Sequence, residues 1–139
     1  MNCTRTLLSA TVMVGCIAFD TDNAQAHHSF SMFDNAKCVS ISGTVRNFQW
    51  SFPHSWIWLN VPDRKGGVAV WGFEGEPPSN LAQYGWKKNT LKKGDKVSLR
   101  FSPLKSGQNG GAYSVATLAD GTVMTGARGR NDTCVASKL

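Results

Sequence analysis

The chain is predicted to be all-β with a small helical content, and three observations carry that prediction. Apolar and polar residues alternate along most of its length, turn residues separate the alternating runs, and a proline-opened helical stretch follows the third run. Together they describe a five-stranded barrel with a short helix between strands three and four.

In the first strand Val39, Ile41 and Val45 share one face, with Gly43 among them marking a bulge or sharp bend. In the second, Ile57, Leu59 and Val61 point inward and leave Trp56 and Trp58 on the opposite face. The turn 62–67, rich in Gly, Pro and Asp, leads into a third strand over 68–74 and makes a hairpin. Pro77, Pro78 and Ser79 open a helical turn carrying Leu81, Ala82 and Tyr84. Ser79 is the expected N-cap, and Gly85 is placed to end the helix. A tight turn over 91–95 precedes the fourth strand, where Val97, Leu99 and Phe101 point inward and Lys96, Ser98 and Arg100 outward. The fifth strand is expected over 112–119, with Asp120-Gly121 turning into a short return through Val123 and Met124. The glycine-rich loop 106–111 and the tail after Gly126 read as mobile.

Three strands, a helix and two strands is the order of an OB-fold barrel, in which closure removes most sheet edges and the helix plugs one end. An immunoglobulin-like sandwich needs about seven strands and has no place for the helix. The expected organisation is a signal peptide over 1–26, an N-terminal arm over 27–37, the barrel over 38–125, and a tail over 126–139 tied by Cys134.

The leader reading rests on Arg5, an apolar run over 7–19, and a small-x-small cleavage site at Ala24-Gln25-Ala26. That run is short of the roughly eighteen apolar residues needed to span a bilayer. Export to the periplasm or the medium is expected, with no transmembrane segment after processing. The alternative is a lipid-anchored form, since Met13-Val14-Gly15-Cys16 has the outline of a lipobox with Cys16 as the acylated residue.

Removing the leader takes away Arg5, Asp20 and Asp22, so the net charge rises from +6 to +7. Such a surface suits anionic polymers or head groups, and equally an ordinary basic exported protein. Of the four cysteines only Cys38 and Cys134 remain, which in an oxidising compartment predicts one disulfide closing a loop of about a hundred residues.

Several short motifs recur in a recognisable order: Ala26-His27-His28-Ser29-Phe30, Gly43-Thr44-Val45, Phe52-Pro53-His54-Ser55-Trp56, Gly85-Trp86 and Leu91-Lys92-Lys93-Gly94-Asp95. In this the chain resembles a family of small, uncharacterised exported bacterial proteins, over almost the whole mature length. The resemblance implies a secreted β-barrel domain of unknown function and supplies no reaction.

Cleavage after Ala26 would make His27 the amino terminus, and a free α-amine beside an imidazole is a compact nitrogen chelate. His27, His28 and His54 are the only three histidines, and together with that amine they form an all-nitrogen set suited to Cu(II) or Zn(II). Asp34 is placed to add a carboxylate or to orient an imidazole. The competing account makes His27-His28 a polar chain end and His54 a turn residue.

Trp50, Trp56 and Trp58 form the candidate ligand face, because flat rings on the outside of strands two and three of such barrels stack on sugars or bases. The competing account packs these rings beneath the apolar arm 30–33. Lys87, Lys88, Lys92, Lys93 and Lys96 cluster around one turn, which reads as a solvated loop. Export disfavours nucleic acid, leaving a metal ion or an envelope polymer as the expected partner. No Gly-x-Ser-x-Gly elbow is present, and Glu74 with Glu76 would lie on one strand face without a cleft. The chain is therefore expected to be a non-catalytic binding protein. A copper histidine brace is the one enzymatic idea with a motivating residue.

Overall fold

The computed structural model describes residues 31–126 and Cys134. Over residues 31–126 six strands and one α-helix follow in order: β1 (Val39–Gln49), β2 (Trp56–Pro62), β3 (Val68–Glu74), α1 (Pro78–Gln83), β4 (Lys96–Pro103), β5 (Gly110–Leu118) and β6 (Val123–Thr125). The sheet runs β3-β2-β1-β4-β5-β6, and a parallel pairing of β3 with β5 joins its ends. The first five strands therefore close into a mixed barrel with the helix between β3 and β4, the expected OB-like arrangement.

Alternation sets the faces as anticipated. Ile57 and Leu59 on β2, Phe73 on β3, and Val97, Leu99 and Phe101 on β4 are buried in one core with Leu81 of the helix, Trp86 and Tyr113. Within it the Phe73 and Phe101 rings meet edge to face at 4.8 Å, a favoured aromatic geometry. The Trp86 indole Nε1 donates to the Thr125 carbonyl at 2.8 Å, so the return strand β6 is tied to the chain that follows the helix.

Four local expectations change. The irregularity in β1 lies at Arg46, between Val45 and Asn47, not at Gly43. Gly43 instead permits close approach, since a Cβ there would come within 2.8 Å of the Asn60 carbonyl oxygen. Ser79 is not the N-cap. Pro77 is the extended cap residue and Pro78 begins the helix, where its missing N–H costs nothing. Val39, assigned to the inner face, is exposed at the barrel's end. Finally, Gly110 and Gly111 are not loop residues. They begin β5 at the seam with β3, where a Cβ would strike the Gly72 carbonyl oxygen or that of Ser102, so closure demands glycine.

The described part of the arm lies along the end of β4. Phe33 is buried and bridges Leu104, Asp34 N–H donates to the Pro103 carbonyl at 2.8 Å, and Lys105 N–H donates to Met32. The predicted disulfide is present: Cys38, just before β1, is bonded to Cys134 across 96 residues of sequence. Among the described residues no helix is long and apolar enough to cross a membrane.

Candidate functional site

Residues 50–55 turn the corner from β1 into β2, with a cis peptide between Phe52 and Pro53 and an exposed Phe52 ring. Two main-chain bonds extend the β2–β3 ladder beyond the strand ends: Ser55 N–H to the Glu76 carbonyl at 3.2 Å and Gly75 N–H to the Ser55 carbonyl at 2.9 Å. The Ser55 hydroxyl is buried and shares a 3.2 Å hydrogen bond with the Tyr113 hydroxyl on β5. Burial pushes the Tyr113 phenol up from its ordinary value, against the pull of the Ser55 hydrogen bond. The corner is thus fastened to the barrel interior one residue after His54.

The His54 side chain is 20% exposed. Its Nδ1 lies 3.1 Å from the Gly75 carbonyl oxygen and 3.3 Å from Glu74 Oε1. A carbonyl oxygen only accepts, so Nδ1 carries the hydrogen, and in the neutral ring the lone pair belongs to Nε2. Glu74 shares the outward phase of β3 with Gly72 and stands opposite Trp56, yet it is only 5% exposed. Its carboxylate lies beside the imidazole, while the hydrogen bond that orients the ring is the one from Nδ1 to the Gly75 carbonyl.

Of the other expected ligands, His27 and His28 lie outside the described residues. Asp34 pairs with Lys37 Nζ at 2.9 Å, and that hydrogen bond and charge hold its carboxyl below the usual carboxylate range. Among the described residues no group of three or more His, Cys, Asp or Glu side chains is arranged to hold a metal ion. Glu76 lies beyond the end of β3 and accepts from Asn80 Nδ2 at 3.1 Å, so it does not share a strand face with Glu74.

The structure brings Trp56 and Trp58 together and places Trp50 elsewhere. The first two indoles stack with centroids 5.6 Å apart and planes 16° from parallel. Both are half-buried. Trp58 lies across Gly72 of β3, where a Cβ would come within 2.6 Å of the ring. Trp50 meets Phe48 edge to face at 5.7 Å and packs against the main core.

All five lysines of the predicted cluster are exposed, and Lys96 Nζ donates to Thr44 Oγ1 at 2.7 Å. Beside it an open groove of about 320 Å³ is lined by Ser42, Thr44, Pro62, Lys96, Ser98 and Thr117.

Ser55, Glu74 and Tyr113 were not anticipated as part of the site. One signal was legible: Ser55 falls in the inward phase set by Ile57 and Leu59, and a hydroxyl in a core position needs a buried partner. Its identity as Tyr113, 58 residues away, was not legible.

Comparison with the curated proteins and with the solved structures found no match. A family model does match residues 14–114, and the chain belongs to that family, a family of unknown function (DUF6152).

Proposed function

We propose that the mature protein is an exported, non-catalytic binding protein that holds one Cu(II) or Zn(II) ion through His54, His28 and a processed amino-terminal His27. The observation that carries this reading is the tautomer imposed on His54. Metal-bound histidines characteristically donate one ring N–H to a carboxylate or carbonyl, which orients the ring and raises the basicity of the other nitrogen. His54 makes this bond to the Gly75 carbonyl through Nδ1, with Glu74 Oε1 3.3 Å from the same atom, which supports Nε2 as the ligating nitrogen. The polar groups around it hold the corner in place: Ser55 through Tyr113, and Glu76 through Asn80. That disposition favours a binding role over hydrolytic chemistry. Export and the oxidising compartment accord with the Cys38–Cys134 bridge.

The experiment is a Cu(II) titration of protein whose sequence begins at His27, against the same protein with one glycine placed before it and against His54→Ala. One tight equivalent is expected in the first, with affinity lowered by at least about tenfold in the other two, the scale of losing one ligand or its support. Equal binding by all three rejects the site. Mass spectrometry showing that the natural protein begins at another residue, or carries an acyl group on Cys16, removes its amine ligand.

A further inference from the structure

The outer face of β1–β3 carries a second constellation that does not depend on any metal. Residues directly opposite one another in an antiparallel ladder present their side chains on the same face. Gln49 is opposite Trp56, Asn47 is opposite Trp58, and Asn60 continues the outward row of β2. On the other side Trp58 faces Gly72 and Trp56 faces the buried Glu74. The two stacked indoles are therefore bordered by exposed carboxamides along β1 and by a low floor on β3. Gly72 is what lets Trp58 spread across that floor, since any larger residue would occupy the space of the ring.

We propose that this face binds a neutral glycan chain of equatorially linked pyranoses. Sugars of that configuration have C–H bonds on both flat faces and hydroxyls around the rim. The faces stack on an indole, while a carboxamide supplies both the donor and the acceptor that a rim hydroxyl needs. The pairing of aromatic surface with amides, and not with a row of cations, selects this ligand over single-stranded nucleic acid, which needs positive charge along its backbone. One exposed cation borders the face, Arg46 in the β1 bulge next to Asn47, and Lys96 lies further along beside Thr44, which is opposite Asn60; together they are not the row of charge that a nucleic-acid backbone needs. Each ring has one face turned to its neighbour in the stack, and half-burial leaves the remaining surface of the pair to receive a ligand.

The test is intrinsic tryptophan fluorescence and calorimetry with cellohexaose, chitohexaose and xylohexaose, with an oligothymidylate as the anionic comparison. EDTA is present throughout, so that loss of the metal site leaves the result untouched. At least one of the three glycans is expected to bind and to shift the emission. Trp58→Ala should weaken that binding at least about tenfold, as expected for one lost stacking contact. Asn47→Ala and Gln49→Ala alter exposed side chains and keep the test decisive if the tryptophan variant does not fold; each should weaken binding about two- to fivefold, the scale of one neutral hydrogen bond. The proposal is overturned if none of the glycans binds, if the amide variants bind as tightly as the parent, or if the oligothymidylate binds more tightly than every glycan.

Discussion

The Ser55–Tyr113 pair gives the sharpest check on how the His54 corner is held. Both residues have 0% exposure, and their hydroxyl oxygens are 3.2 Å apart, longer than the roughly 2.7–2.8 Å usual for this type of bond. The bond itself therefore adds little, of order 0.5–1 kcal/mol. Breaking it from one side is more costly, because the remaining hydroxyl stays buried without its partner, at about 1–3 kcal/mol. Tyr113→Phe keeps the ring, whose contact with Trp86 at 5.7 Å is preserved, and leaves the Ser55 hydroxyl stranded. Ser55→Ala strands the phenol. Each single variant should lose about 2 kcal/mol, while the double variant should lose clearly less than the sum, because neither hydroxyl is then left buried. Urea unfolding at neutral pH measures all four proteins, with an unchanged slope confirming that the midpoints report stability. A coupling energy of about 1–2 kcal/mol is expected. Strict additivity, or single losses below about 0.5 kcal/mol, would show that the two hydroxyls do not depend on each other.

Two further outcomes follow from the same interior. Replacing Cys38 and Cys134 together by alanine releases a loop of 96 residues; full loop closure at this length corresponds to about 4.7 kcal/mol, and a loss of about 2–4 kcal/mol is expected in urea unfolding. A change under about 1 kcal/mol would mean that the bridge does not restrain the unfolded chain. Alkaline pH should destabilise the fold through Tyr113. Its folded value is raised by burial above the ordinary 10.0, so its stabilising effect is complete below that pH and is lost as pH rises beyond it toward the folded value. The urea midpoint of the parent should fall more steeply above about pH 10 than that of Tyr113→Phe, and parallel profiles would contradict the assignment.

The strand faces were legible because side-chain alternation is a local property. Period two alone places Ile57 and Leu59 inside and Trp56 and Trp58 outside, and the bridge expected between Cys38 and Cys134 is present. Short turns are local as well, so the strand order and the helix between strands three and four could be read along the chain. Less legible were the features that depend on which segments meet. Gly110 and Gly111 look like loop residues until the parallel seam with β3 shows that no side chain fits there. Ser79 looks like a cap until the Pro77–Pro78 backbone takes that place.

Sequence alone determined the class of fold, most of the inward and outward phases and the disulfide. Tertiary structure decided that His54 is held by the Gly75 carbonyl beside Glu74, that Ser55 is held by Tyr113, and that Trp58 lies over Gly72 while Trp50 joins the core. The reason is that a residue's phase is set by its immediate neighbours. Its partner is set by strand register and barrel closure, which bring together groups as far apart in sequence as the 58 positions between Ser55 and Tyr113.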